Sequence, residues 1–225
     1  MTKMLQDIDA IIFDMDGTLM DSMWVWTDID EDYLKKYDLK QPEDFHETME
    51  GMSYTEVAQY YLDVFPTLTC TLEEIMLEWK EMARDKYVNE VKLKSGVREF
   101  IEEMRSQGKR IGIATSNEKS LVNDTLQAME IAHLFDAIRT SCEVGVGKPA
   151  PDVYLKVAED IAVLPEHCLV FEDVPMGILA GKNAGMHVCA VEDDFSRPQE
   201  AKKRALADYY IQDYFDIERE TYEVL

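Results

Sequence analysis

Four short apolar runs in this chain stop abruptly at polar residues, and that repeated break constrains the fold more than any other feature. Asp9-Ala10-Ile11-Ile12-Phe13-Asp14 runs on into Asp16 and Gly17, and Arg110-Ile111-Gly112-Ile113-Ala114 into Thr115-Ser116-Asn117. Cys168-Leu169-Val170-Phe171 ends at Glu172-Asp173, and His187-Val188-Cys189-Ala190-Val191 at Glu192-Asp193-Asp194. Continuous apolar runs of this length mark strands buried on both faces. Between them lie residues at helical spacing: Val97, Phe100, Ile101 and Met104 closed by Gly108, then Leu121, Val122, Thr125, Leu126 and Met129, then Tyr154, Val157, Ala158 and Ile161 behind Pro151. Strand alternating with helix predicts an α/β fold, a doubly wound parallel sheet with helices on both faces and ligands outside the carboxyl ends of the strands.

The stretch from Asp21 to Val91 breaks the alternation and reads as helices only. Ser53-Tyr54-Thr55-Glu56 and Thr71-Leu72-Glu73-Glu74 both have the spacing of a capping box, and Leu72, Ile75, Met76, Trp79, Met82 and Ala83 form an apolar stripe. The expected organisation is therefore one core built from residues 1–20 and 92–225, interrupted by an all-helical insert at 21–91. From Asp21 to Lys92 there are 18 acids against seven Lys and Arg, so about half of the net charge of −23 sits in the insert. Most of that excess is a solvated face.

That charge bears on partners. A surface carrying 46 acids against 23 Lys and Arg repels phosphate backbones and anionic lipid, so neither nucleic acid nor a membrane is expected. The longest apolar runs are far too short to span a bilayer, and the N-terminus has no apolar signal core. Cys70, Cys142, Cys168 and Cys189 lack the spacing of a zinc site or a redox pair and are expected as reduced thiols in the cytoplasm. A monomer is the expected state.

Four constellations carry chemistry. In Asp14-Met15-Asp16-Gly17-Thr18, two carboxylates at a turn out of a strand can offer a side-chain oxygen and a backbone carbonyl to a hard cation, leaving the other carboxylate free for proton transfer; Asp and Gly are also ordinary turn residues. Thr115-Ser116-Asn117 offers a hydroxyl and the open N–H groups of a helix start to a phosphate oxygen, or simply caps that helix. Lys148, between Gly147 and Pro149, is a cation with restricted reach, and Glu172-Asp173 adds carboxylates at a third strand end. Each pattern is ordinary alone. In a parallel sheet all four converge on one crevice.

The order and content of these segments resemble the haloacid-dehalogenase-like hydrolase superfamily, in its phosphatase branch with a helical cap and a Rossmann-like core, the subfamily that includes β-phosphoglucomutase-like proteins. Phe13-Asp14-Met15-Asp16-Gly17-Thr18-Leu19 is similar to the first motif, Thr115 to the second, Lys148 in Gly-Lys-Pro-Ala-Pro-Asp to the third, and Glu172-Asp173 with Gly177 and Ala184-Gly185 to the fourth. The resemblance implies a Mg²⁺-dependent phosphatase of a small phosphate ester. Asp14 would be the nucleophile and form an aspartyl-phosphate; Asp16 would protonate the leaving oxygen and then activate water. Mg²⁺ would lie between Asp14, the Asp16 carbonyl and Asp173, with Glu172 acting through a water, and Thr115 and Lys148 would clamp the phosphate. Ser116 and Asn117 would join the phosphate site. Trp26 and Tyr54, near the hinge and loop of the cap, either stack on a ring of the substrate or pack cap against core.

The chain also departs from the family pattern. Val174-Pro175 follows Glu172-Asp173 where relatives often carry Ser. Sugar-phosphate mutases of the branch tend to have His where Trp26 stands and Arg where Tyr54 follows Gly51-Met52-Ser53. Without them the hexose-phosphate mutase is the runner-up to a phosphatase. A metal-free dehalogenase is disfavoured by Asp16, and a receiver-type signalling module by Asp16 together with the helical insert.

Overall fold

The computed structural model describes residues 2–225. The strands are β1 (Ala10–Phe13), β2 (Met20–Asp21), β3 (Lys92–Leu93), β4 (Arg110–Thr115), β5 (Ala137–Thr140), β6 (Cys168–Glu172), β7 (His187–Val191), β8 (Tyr209–Ile211) and β9 (Glu223–Val224). The helices are α1 (Met23–Lys36), α2 (Phe45–Met49), α3 (Tyr54–Val64), α4 (Leu72–Asn89), α5 (Val97–Ser106), α6 (Lys119–Ala128), α7 (Ser141–Val144), α8 (Asp152–Asp160), α9 (Pro175–Asn183), α10 (Glu200–Leu206) and α11 (Phe215–Glu218).

A seven-stranded sheet runs in the order β5-β4-β1-β6-β7-β8-β9, parallel throughout except for β9. It is the doubly wound α/β sheet expected of the alternating pattern. From β1 the chain winds outward through β4 and β5, then crosses to β6 on the other side of β1 and winds outward again. That reversal makes the C-terminal end of β1 a crevice. Register aligns Phe13 with Ile113 on one side and Phe171 on the other, so the residues just beyond these positions emerge side by side.

Side chains alternate across the sheet with period two. Ile11 and Phe13 join a core that includes Phe100, Phe171 and Tyr214; Ala10 and Ile12 join the opposite core with Val157 and Ile178. Phe13 stacks on Phe171 at 5.4 Å and meets Phe100 edge-on at 6.3 Å. The four apolar runs appear as β1, β4, β6 and β7. The sequence reading missed β5, β8 and β9, which are two to four residues long and hold at most three consecutive apolar residues.

The helices α1–α4 lie between β2 and β3, which pair antiparallel as a two-stranded ribbon. Both capping boxes form, at Ser53–Glu56 and Thr71–Glu74. Aromatic side chains fill the interior of these helices: Trp79 lies 4.7 Å from Tyr61 and 5.6 Å from Tyr33, and Tyr61 lies 5.2 Å from Phe45. Helix α4 packs on α6, where Arg84 pairs with Asp124 at 2.9 Å. Among the described residues no helix is long and apolar enough to cross a membrane, and all four cysteines are free thiols.

Because the Thr71 side chain accepts a hydrogen bond from the Glu74 N–H, Thr71→Ala should lower stability by about 1 kcal/mol in chemical denaturation.

Candidate active site

Asp14 leaves β1 with its backbone N–H bonded to the Phe171 carbonyl, which ties the end of β1 to β6. Its carboxylate Oδ1 accepts from Lys148 Nζ at 2.5 Å, and Lys148 donates at the same distance to Glu172 Oε1. All three groups are buried. Burial opposes the charge on Lys148, but the carboxylates of Asp14 and Glu172 outweigh it and hold the ammonium above its ordinary range. Burial pushes the Asp14 carboxyl up to about 8, with Glu172 and Asp16 adding to the rise against the pull of Lys148.

Glu172, expected at the metal through a water, is held on both of its oxygens by protein donors. Its Oε1 accepts from both Lys148 and the Tyr154 hydroxyl, the latter at 2.7 Å; its Oε2 accepts from the backbone N–H groups of Asp173 and Val174. With no exposed surface and both oxygens engaged, Glu172 is the seat of Lys148. Tyr154, on the first turn of α8, also places its ring 5.2 Å from the Lys148 ammonium.

Asp173 presents the opposite case. One oxygen accepts from the Thr18 hydroxyl at 3.1 Å, while Oδ2 is buried with no hydrogen-bond partner. Gly17, at φ +76°, passes directly beneath, and a Cβ there would overlap that carboxylate. Oxygens of Asp14, Glu172 and Asp173 lie within 4.8 Å of one another. An orphaned buried oxygen, a turn kept open by glycine and an all-oxygen donor set fit a hard divalent cation such as Mg²⁺.

The Asp16 carboxylate, read from the motif as the one available for proton transfer, accepts hydrogen bonds on both of its oxygens. Its Oδ1 accepts from Ser22 Oγ at 2.6 Å and from the Tyr87 hydroxyl, and its Oδ2 accepts from Asn117 Nδ2 at 2.9 Å. Ser22 precedes α1 and Tyr87 is in the last turn of α4, so the helical insert holds this carboxylate from both of its ends.

The Thr115-Ser116-Asn117 segment lines the same cavity but does not open a helix: α6 begins at Lys119, and Glu118 caps it by accepting from Leu121 N–H. Thr115 Oγ1 accepts from the Asn117 N–H, and Ser116 lies with its hydroxyl 3.4 Å from Ser141 Oγ. Asn117 is therefore a support of Asp16, its N–H and amide already spoken for. Trp26 and Tyr54 both pack and line: they meet edge-on at 5.9 Å, Trp26 lies 5.9 Å from the Tyr87 ring, and both border the cavity. The Tyr54 hydroxyl turns away to the Met76 carbonyl.

Ser22, Tyr87 and Tyr154 escaped the sequence reading. Tyr87 continues the buried stripe of α4 one turn beyond Ala83, a signal for burial that says nothing of where a hydroxyl ends.

The cavity above these residues is about 470 Å³ and is closed on its far side by the helical insert. The insert's loop docks on the sheet edge: Tyr54 N–H donates to the Ser116 carbonyl, and Glu50 accepts from the Met176 N–H at 3.1 Å and from Gln199 Nε2 at 2.5 Å. A Cβ at Gly51, which sits at φ +84°, would overlap the Lys148 carbonyl, so the two chains touch backbone to backbone.

Comparison with known proteins gives this geometry a family. Residues 11–191 match the family described as Haloacid dehalogenase-like hydrolase. The chain is 30% identical to the "Phosphorylated carbohydrates phosphatase" of Thermotoga maritima over 179 residues, 80% of this chain and 82% of that one. It is likewise 30% identical to the "Probable pseudouridine-5'-phosphatase" of Drosophila melanogaster, over 85% of this chain and 84% of that protein. Among solved structures, CbbY from Rhodobacter sphaeroides in complex with phosphate superimposes with a TM-score of 0.81 at 23% identity, covering 92% of this chain and 94% of that one. The chain belongs to the haloacid dehalogenase-like hydrolases.

Proposed function

We propose that this protein is a Mg²⁺-dependent phosphatase that hydrolyses a small phosphate monoester through an aspartyl-phosphate on Asp14. The observation that carries the reading is the buried Asp14–Lys148–Glu172 arrangement beside the unpartnered Asp173 oxygen, at the floor of a cavity large enough for a small metabolite. The relatives named as phosphatases support the same class of reaction.

Asp14, the Asp16 carbonyl and Asp173 would hold Mg²⁺, whose charge offsets that of the carboxylates and of a phosphate dianion. Asp14 attacks phosphorus in line with the ester oxygen, and the P–O bond to the alcohol breaks as the bond to Asp14 forms. Lys148, fixed by Glu172 and Tyr154, places its positive charge where charge spreads over the phosphoryl oxygens. Thr115 lines the same cavity. Asp16 gives its proton to the departing alkoxide and then takes one from the water that attacks the phosphorus, releasing phosphate and restoring Asp14. For that it must exchange at least one of its three hydrogen bonds for the substrate. Because Tyr87 and Ser22 belong to the insert and its hinge, the position of Asp16 is coupled to the position of the cap.

Hydrolysis is favoured over mutase turnover. A mutase must grip a second phosphate and restrain Asp16 as a base until the sugar's other hydroxyl arrives. At the two positions concerned this chain has Trp26, which exchanges no proton near neutral pH, and Tyr54, whose hydroxyl is committed to a backbone carbonyl.

The nucleophile is tested by Asp14→Asn, expected to lower kcat at least about a thousandfold with the circular dichroism spectrum unchanged. Retention of wild-type turnover would sink the mechanism. Excess chelator should abolish activity, and Asp173→Asn should raise the Mg²⁺ concentration for half-maximal rate at least about tenfold. Tyr87→Phe should lower kcat about tenfold while KM stays nearly constant, because it loosens Asp16 without touching the phosphate site.

A further inference from the structure

The wall of the cavity facing the phosphate site carries an uneven set of charges. Beyond the catalytic floor, the acids Asp30, Glu47 and Glu50 border it, and among the described residues its basic side chains are Lys148 and His46. Lys148 sits on the catalytic floor, paired with Asp14 and Glu172. His46 Nδ1 lies 3.6 Å from Asp30 Oδ2. Beyond the floor, the described residues give this cavity three acids against one histidine.

Its acids differ in what they have left to offer. Glu50 is occupied by Met176 and Gln199, and Asp30 Oδ1 by the Tyr61 hydroxyl at 2.6 Å. Asp30 Oδ2, 3.6 Å from His46 Nδ1, and the exposed Glu47 carboxylate accept no hydrogen bond from the described residues and have capacity for hydroxyl or ammonium donors. The aromatic residues Trp26, Tyr54 and Trp79 line the same cavity, with the Tyr54 ring 5.9 Å from each of the other two. At about 470 Å³ the space exceeds what phosphate and a two-carbon alcohol would fill. Rings and apolar walls reward a flat or apolar body.

We propose that the site takes phosphate monoesters of an uncharged or cationic ring-bearing alcohol, and discriminates against those that carry a second phosphate or a carboxylate at the far end. The inference rests on the phosphatase reading for the placement of the phosphate, and adds to it the character of the leaving group. Like charges brought together in a partly dehydrated cavity repel strongly, whereas an ammonium gains from Asp30, Glu47 and the aromatic faces. The overall charge of −23 acts in the same direction during approach.

The test separates binding from turnover. Calorimetry with Mg²⁺ present would compare four unreactive phosphonates: phenylphosphonate, its 4-aminomethyl derivative, its 4-carboxy derivative, and ethylphosphonate. Phenylphosphonate and the aminomethyl compound should bind at least about tenfold more tightly than the carboxy compound, with the difference shrinking at high salt, and ethylphosphonate should bind more weakly than phenylphosphonate. In Glu47→Arg, an exposed substitution, the ratio of the carboxy compound's affinity to phenylphosphonate's should rise several-fold. A carboxy compound that binds as tightly as phenylphosphonate would overturn the charge preference, and equal affinity for the ethyl and phenyl compounds would overturn the preference for a ring. Hydrolysis of phenyl phosphate is assayed separately: ordered binding without any turnover would refute the phosphatase reading while leaving the charge preference of the cavity intact.

Discussion

The buried ammonium of Lys148 ties together the polar residues at the ends of two neighbouring strands. Lys148 sits between Asp14 and Glu172 with almost no access to water, and the arrangement is costly unless every member stays in place. Removing one partner of such a buried pair typically costs about 3–5 kcal/mol, because the charge left behind has no solvent to turn to. The surrounding structure is built to prevent that. Tyr154 and two backbone N–H groups hold Glu172 in place beside Lys148.

The sheet explains why such a cluster can exist at all. Asp14 and Glu172 follow neighbouring parallel strands held in register by Phe13 and Phe171, and the aromatic stack beneath them keeps those strand ends from separating. Hydrophobic packing on one level thus supports electrostatics on the next. The stability of the core is used to hold like-charged carboxylates at a distance they would not choose in water.

A second link joins the sheet to the helical insert. Asp16 is held by Ser22 and Tyr87 from the insert's two ends and by Asn117 from the strand edge, while Glu50 and the backbone at Gly51 fasten the insert's loop to the opposite side. A shift of the insert relative to the sheet would therefore move two of the three partners of Asp16.

The sequence alone determined the α/β class, the four buried strands, both capping boxes and the set of polar residues at the strand ends. It could do so because each depends on local periodicity or on a pattern a few residues long. The short strands at Ala137–Thr140 and Tyr209–Ile211 were not legible, since two or three consecutive apolar residues are too few to mark a strand. Nor were the roles within the site. Glu172 and Asp173 are adjacent in sequence and equal in composition, yet one has both oxygens satisfied and the other has an oxygen with no partner. Tyr154 read as an apolar member of a helical stripe, Tyr87 lay outside the stripe read in its helix, and Asn117 read as a residue at a helix start. What each polar atom meets was decided by tertiary structure, because a hydrogen bond across 71 or 101 residues of chain is set by how helices dock on the sheet, and no local pattern encodes that.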